Sequence, residues 1–445
     1  MPGRSGVGGL SVPEAEALSY GDDLFAFPSI LKDYVTGFEQ SFYPITAVGS
    51  DGPFEFHIPP DGKHYMILPL TRLFGKIQIV KSDGSLPGPD DKLLGIVNLF
   101  PDSLFRHIEI ALNGKSISDA STSCYGIKAF IEKQLSYGVE AKKTHLTSAM
   151  YYSDTEEKYN IGDATNAGWK LRSSLVSLGK VVDFETCLHA DFFQIYRFLP
   201  NTCNLRIKLI RQEDNFSLFC GAEDANSYKI VISDLRLSVR KVELKKEIFL
   251  DNERNIKVGR EAILPIDRNQ IKTFVLAKGI TSKILPNIVS GLVPRSVIIS
   301  FIESSAFNGT KTTNPFNFEH FNLKRIALSV NGIQIPSRAH QMDFKNNNFV
   351  EAYSALFNNT GIYNDNITNG ITKTAFKSGN AFFAFDLTPD KCNGVHEHEK
   401  LTGPINLEIE FAEALTTGVE LIFYCTYKNN IFLGDNDSVR SDYTV

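Results

Sequence analysis

The sequence has little of what many function classes require. There is one tryptophan and there are four methionines. The six cysteines, Cys124, Cys187, Cys203, Cys220, Cys392 and Cys425, are scattered without a Cys-x-x-Cys pair or a zinc-finger spacing. They read as reduced, mostly buried thiols of an intracellular protein. No run of about 18 apolar residues exists, so no transmembrane segment is expected. The opening "MPGRSGVGGLSVPEAEALSYG" has no apolar core of the secretory kind. Basic excess is missing too: the net charge is −5 and the pI about 6.0, which argues against tight nucleic-acid binding over a whole face.

Catalytic motifs are equally sparse. "GVGG" at 6–9 has no strand before it and no Lys-Ser/Thr after it, so it is a poor phosphate cradle. There is no Gly-x-Ser-x-Gly elbow and no cysteine in a protease-like setting. The acidic pairs Glu156-Glu157 and Glu223-Asp224 sit among Lys, Asn and Ser and read as solvated charges. "RKVELKKE" (240–247) interleaves both signs and reads as a solvated face. His396-Glu397-His398 is the one close histidine pair. On a strand, His-x-His puts both rings on one face, where copper or zinc binds. The flanking Asn393-Gly394 and Thr402-Gly403-Pro404 make this a loop, read here as solvated and polar. No catalytic, cofactor-binding or metal residue is therefore assigned, and no cofactor is expected.

What the chain does have is phenylalanine, 33 residues of it, with 16 tyrosines. Large flat side chains suit pleated, half-buried surfaces. Period-two alternation marks strands in "FEFHI" (54–58), "GKIQIV" (75–80), "RHIEIAL" (106–112), "NLRIKLI" (204–210) and "YKIVISDLRLSV" (228–239). It resumes in "IKTFVLA" (271–277), "SVIISFI" (296–302), "RIALSV" (325–330), "AFFAFDL" (381–387), "NLEIEF" (406–411) and "VELIFYCTY" (419–427).

Part of this pattern is written twice. "RHIEIALNGKSI" (106–117) and "KRIALSVNGIQI" (324–335) both alternate, reach Asn-Gly and alternate again, with Asn113 and Asn331 218 residues apart. Asn-Gly tolerates the two positive φ angles of a type I′ hairpin. The chain has five such pairs, so the weight lies in the flanks. Ile77 of "KIQIV" and Val297 of "SVIISF" precede the hairpins at an offset of 220. A helix follows each: 125–138, with Ile127, Phe130, Ile131 and Leu135 on one face, and 348–361, with Val350, Tyr353 and Phe357. Gly138 and Gly361 suit left-handed caps. "CNLRIKLI" and "INLEIEFA" align through Asn204 and Asn406, an offset of 202. The segment 140–174 reads as a polar, irregular insertion particular to the first half, long enough to be a contact surface.

The expected fold is therefore all-β: a double jelly roll of two tandem eight-stranded antiparallel β-sandwiches, with one short helix in each. The expected organisation is a flexible arm at 1–36, a first jelly roll at 37–240, a linker at 241–268, a second jelly roll at 269–433 and a tail at 434–445. A chain of 445 residues is long enough for two cores.

The stretches that carry the repeat also carry a family likeness. "NLFPDSLFRHIEIALNGKSIS" (98–118), "YGIKAFIEKQLSYGVEAKKTHLTSAMYYSDT" (125–155), "NLRIKLIR" (204–211), "AFNGTKTTNPFNFEHFNLKRIALSVNGIQIPS" (306–337), "GNAFFAFDLTPD" (379–390) and "INLEIEFAEAL" (405–415) resemble the major capsid proteins of Maverick/Polinton elements, large virus-like DNA transposons, and their adintovirus relatives. "NPFNFEHFNL" (314–323) is the most specific piece. The resemblance implies a non-enzymatic structural role. The expected partner is the chain itself, as a homotrimer and in neighbouring trimers that would form pseudo-hexagonal capsomers of an icosahedral shell around double-stranded DNA. A penton or minor capsid protein would close the vertices. The place of action would be the virion capsid, assembled inside the host cell, in cytoplasm or nucleus, and not secreted. The 139–180 insertion and the 361–380 loop are candidates for trimer locking or the outer surface. Double jelly rolls also occur in peptide:N-glycanases, so a carbohydrate-active or metal-dependent enzyme is one alternative, and a domesticated cellular β-sandwich binding protein is another.

Overall fold

The structure is a computed structural model. It describes residues 33–49, 52–118, 124–224, 226–392, 396–436 and 438–443, so "GVGG" and most of the expected arm lie outside the described residues. The first half contributes β1 (Tyr34–Phe42), β2 (Phe54–Ile58), β3 (His64–Lys81), β4 (Phe105–Leu112), β5 (Lys115–Ser116), β6 (Val182–Cys187), β7 (Leu205–Arg211) and β8 (Tyr228–Leu244). The second contributes β9 (Ala262–Leu276), β10 (Ser282–Val289), β11 (Ser296–Glu303), β12 (Leu323–Val330), β13 (Ile333–Gln341), β14 (Phe383–Asp386), β15 (Ile405–Phe411), β16 (Val419–Leu433) and β17 (Val439–Ser441).

These strands form four antiparallel sheets, two in each half. The first half has the orders β1-β8-β3-β6 and β2-β7-β4-β5. The second repeats them strand for strand as β9-β16-β11-β14 and β10-β15-β12-β13, with β17 added at the far end of β16. Alternation explains the layering. In β2 and β7, Phe54, Phe56, Ile58, Leu205, Ile207 and Leu209 are all sealed inside, while the residues between them reach outward. Each such side chain contributes roughly 1.5–3 kcal/mol by leaving water. Across the sandwich of the second half, Phe301 of β11 meets Phe411 of β15 edge to face, with ring centroids 5.8 Å apart.

The two Asn-Gly hairpins occupy the same corner. Asn113 and Gly114 join β4 to β5 with φ 50° and 81°; Asn331 and Gly332 join β12 to β13 with φ 51° and 81°. The register corrects one alignment. Leu112 pairs with Leu205 and Val330 with Ile405. Leu205 is thus the counterpart of Ile405, an offset of 200, and Asn204 corresponds to Pro404 rather than Asn406. A two-residue slip keeps every side chain on its proper face, so alternation alone could not detect it.

Helices also depart from expectation. The helix Tyr125–Ser136 buries Ile127, Phe130 and Ile131 and half-buries Leu135, as its pattern implies. It ends before Gly138, whose φ of −73° is extended backbone preceding another helix, Val139–Lys143. Glycine suits that site for a different reason: a Cβ there would stand 2.9 Å from Ile367 Cγ2 of the second half. Gly361, with φ 79°, does take the left-handed conformation after the helix Val350–Asn359. In that helix Ala352 and Leu356 face the core, Tyr353 and Phe357 are half-buried, and Val350 is exposed. The stretch 140–174 is irregular only in its middle, at 150–166. It contains the 3-10 turn His145–Ala149 and much of the helix Ala167–Val176, with Met150, Tyr151, Trp169 and Arg172 buried. More than one helix therefore accompanies each sandwich.

Regular elements also cross the expected domain boundaries. Strand β1 starts at Tyr34, within the expected arm, because it pairs with the long end of β8. Residues 241–268 are the end of β8, the helix Lys246–Lys257 and the start of β9. The expected tail carries β17, paired to β16. Cys203, Cys220 and Cys425 are buried and Cys124, Cys187 and Cys392 half-buried. No helix among the described residues is long and apolar enough to cross a membrane.

Candidate functional site

Residues that could do chemistry are mostly engaged in joining the two halves. The helix Tyr125–Ser136 presents Lys128 and Glu132, one turn apart, to the second half. Lys128 Nζ donates to Asp191 Oδ1 at 2.6 Å and lies 3.2 Å from Glu132 Oε1. Glu132 also accepts from the Tyr424 hydroxyl (2.9 Å) and from Asn269 Nδ2 (3.2 Å), and its other oxygen meets His189 Nδ1 at 2.9 Å. Asp191 Oδ2 accepts from the Asn269 amide at 2.8 Å. Burial pushes the Glu132 carboxyl up, but Lys128, His189 and Tyr424 outweigh it and hold it at about 2. Burial pushes Asp191 up, since it shares that one ammonium. Two carboxylates with diverging affinities for a proton resemble an acid/base pair. Here all four oxygens accept hydrogen bonds from within the chain. A cleft of about 560 Å³ runs beside them, lined by Glu132, His189, Asp267, Asn269, Arg295 and Tyr424. Asp267 is in turn taken up by Lys428 (2.8 Å) and Arg295 (3.7 Å).

The "NPFNF" block belongs to the same junction. Phe316 stacks on Phe130 with centroids 4.5 Å apart and planes 7° apart, and Phe318 lies 5.7 Å from the same ring. Asn314 Nδ2 donates to the Tyr159 carbonyl at 2.7 Å, and its amide donates to Asn160 Oδ1 at 2.8 Å. The 139–180 insertion and the 361–380 loop also meet each other inside one chain. Lys142 Nζ donates to the Gln134 and Asn369 carbonyls, both at 2.7 Å, and Thr372 donates to Glu156 at 2.6 Å. Burial without a carboxylate partner lowers Lys142 to about 7.

The acidic pairs found in the sequence do not converge. Glu156 caps that contact between the halves, and Asp224 accepts from Asn226 and Tyr228. "RKVELKKE" spans the end of β8 and the start of a helix, with Lys241 drawn inward to Asp61 at 2.8 Å. One group does converge, and spacing along the sequence did not resolve it. Asp390, Cys392, His396 and His398 place one donor atom each within 4.8 Å of one another.

Exposed apolar side chains include several on sheet edges. Strand β1 pairs only with β8 and exposes Tyr34, Val35 and Phe38. Val275 on β9 is 69% exposed, Ile284 on β10 64% and Ile333 on β13 70%. Edge strands with exposed apolar side chains are surfaces for association.

No family model matches the chain. An uncharacterized protein of Caenorhabditis elegans, F54H12.2, is 26% identical over 351 residues, which is 77% of this chain and 82% of that protein. Among solved structures, a chain of the Sputnik virophage superposes with a TM-score of 0.66 at 12% identity, covering 99% of this chain and 94% of that one. A chain of the PBCV-1 virus capsid gives 0.55 at 11% identity over 94% and 100%. The mavirus major capsid protein gives 0.51 at 12% identity over 100% and 97%. This chain shares with them the double jelly-roll fold.

Proposed function

We propose that this chain is a structural major capsid protein, a building block that works by self-association rather than by catalysis. The observation that carries the reading is the strand-for-strand repetition of two sheets within one chain, β1-β8-β3-β6 and β2-β7-β4-β5 against β9-β16-β11-β14 and β10-β15-β12-β13. A tile with six similar sides can be made from three chains only if each chain offers two similar sides. On this reading the first jelly roll ends within β8, the second starts with β9, and the helix Lys246–Lys257 links them. Homotrimers then form pseudo-hexagonal capsomers through the exposed edges. Neighbouring trimers tile an icosahedral shell in the virion, assembled in the host cytoplasm or nucleus, and a penton protein fills the vertices. The enclosed cargo would be the double-stranded DNA of a Maverick/Polinton-like element. Similarity to a nematode protein supports carriage of such chains by animal genomes.

The test is the mass and shape of the purified full-length protein. Sedimentation and electron microscopy should give trimers with a hexagonal outline, or closed shells. A stable monomer at micromolar concentration would reject the reading.

A further inference from the structure

The connection from β14 to β15 has a counterpart in the first half, and the two are held in different ways. Between β6 and β7, the chain buries Leu188, Phe192, Phe193, Ile195 and Leu199 and is anchored by apolar packing. Between β14 and β15, residues 387–404, not one described residue is buried. Ordering a connection of this length costs entropy that apolar contacts do not offset here. Backbone bonds pairing Leu387, Leu401 and Gly403 with Arg295, Val293 and Gly291 hold its ends, as does Lys400 on Asp442, and between them the loop has a convergence of four donors.

The geometry separates a metal site from the two other uses of such residues. Cys392 Sγ lies 3.3 Å from His398 Nε2, and Asp390 Oδ1 lies 2.9 Å from the same Nε2. A Cys-His-Asp catalytic relay needs the thiol and the carboxylate on opposite ring nitrogens. Here both point at one nitrogen, so the imidazole cannot pass a proton between them. His396 also turns its Nε2 to Asp390, at 2.8 Å from Oδ2. Ion pairing accounts for the carboxylate and the rings, and a weak hydrogen bond to the His396 carbonyl at 3.7 Å engages the thiol, yet neither requires the thiol on the same ring nitrogen as the carboxylate. The four donor atoms lie within 4.8 Å of one another, with three pairs at 2.8–3.3 Å, so small side-chain shifts bring them to the edges of a tetrahedron around an ion with ~2.0–2.3 Å bonds. The Cys392 amide donates to Asp390 Oδ1 at 3.1 Å, which sets the carboxylate toward the cluster.

We infer that Asp390, Cys392, His396 and His398 bind one zinc-class divalent ion that clips the β14–β15 connection. The sulfur, two imidazoles and carboxylate form a donor set of borderline softness that suits zinc over magnesium or calcium. The ion replaces, in the second half, the apolar anchor used in the first.

Cobalt(II) titration of chelator-treated full-length protein tests this. One equivalent per chain should give intense visible bands of a tetrahedral ion together with a thiolate charge-transfer band. In Cys392→Ala the charge-transfer band should vanish, and in His398→Ala zinc affinity should fall about 100-fold or more. Zinc should also slow trypsin cleavage after Lys391 and Lys400 about tenfold in the native protein and not in either variant. Weak bands of a six-coordinate ion, or bands and protection unchanged in both variants, would overturn the assignment. So would the absence of stoichiometric binding.

Discussion

Tyr424 of β16 donates a hydroxyl hydrogen bond to Glu132, 2.9 Å away on the helix Tyr125–Ser136, so a strand of one jelly roll holds a helix of the other. The bond ends on an ionised, buried carboxylate, where hydrogen bonds count most. It is one of several contacts between the two sandwiches, with Phe130 on Phe316, Lys142 on the Asn369 carbonyl and Thr372 on Glu156.

Breaking this contact should weaken the junction before either core. Tyr424→Phe keeps the ring and removes the proton donor, at a cost of about 1.5–3 kcal/mol. Chemical denaturation should show it as a lower midpoint. Acid dependence gives a second reading. Glu132 is held at about 2 against an ordinary 4.5, so its contribution is complete above the ordinary value and disappears as pH falls through that interval. Glu132→Gln should therefore be less stable at pH 6 and should lose less stability than the native protein between pH 5 and 2.

Inside the first half, Lys133 Nζ and Asp102 Oδ2 are 2.6 Å apart, both side chains only 1% exposed, and Thr186 bonds to each. Removing one partner strands the other charge in the core. Lys133→Met should cost about 3–5 kcal/mol, and adding Asp102→Leu should recover much of it. A double variant no better than Lys133→Met alone would count against the ion pair as the source of the loss.

Lys142 ties the helical insertion of the first half to the Asn369 carbonyl of the second, and burial lowers it to about 7 from 10.5. Above that lower value the native chain has lost the proton while the unfolded chain still holds it. Stability therefore rises with pH, by about 1.4 kcal/mol per unit at most. The window to measure is pH 7 to about 8, below the ordinary thiol value of about 8.5. Lys142→Met should be flat there. An equal slope in both proteins would show that Lys142 is not the titrating group.

Much of this architecture was legible because strands write their two faces directly into the sequence. "FEFHI" is β2 residue for residue, and "RIALSV" lies within β12. What escaped was whatever depends on a partner far along the chain. Gly138 looked like a cap because caps are local, whereas Ile367 is what crowds it. Arg172 read as a polar insertion residue, but it is buried on Asp154 at 2.7 Å and on the carbonyls of Ile96 and Tyr152. His396 and His398 were read by their turn residues, which describe the loop. Asp390 and Cys392 enter only when the loop closes on itself.

The equivalence of the two hairpin corners is itself open to measurement. Gly114 and Gly332 share φ 81°, and a Cβ at either would meet nothing within 4 Å. Alanine there pays only for a left-handed backbone, about 1 kcal/mol, and should pay it equally at both corners. Hydrogen exchange of the flanking strands, followed separately at Leu112 and Val330, resolves each corner. Gly403 supplies the contrast. It stands where the first half has Cys203, and a Cβ on it would run into the Asn331 side chain. Gly403→Ala should therefore cost about 1–3 kcal/mol more than Gly332→Ala, with the damage centred on the Asn331 turn. Costs at Gly114 and Gly332 that differ by more than about 1 kcal/mol would mean that the corners share a shape without sharing a mechanical role. The two halves would then have diverged at the turn as well as at Gly403.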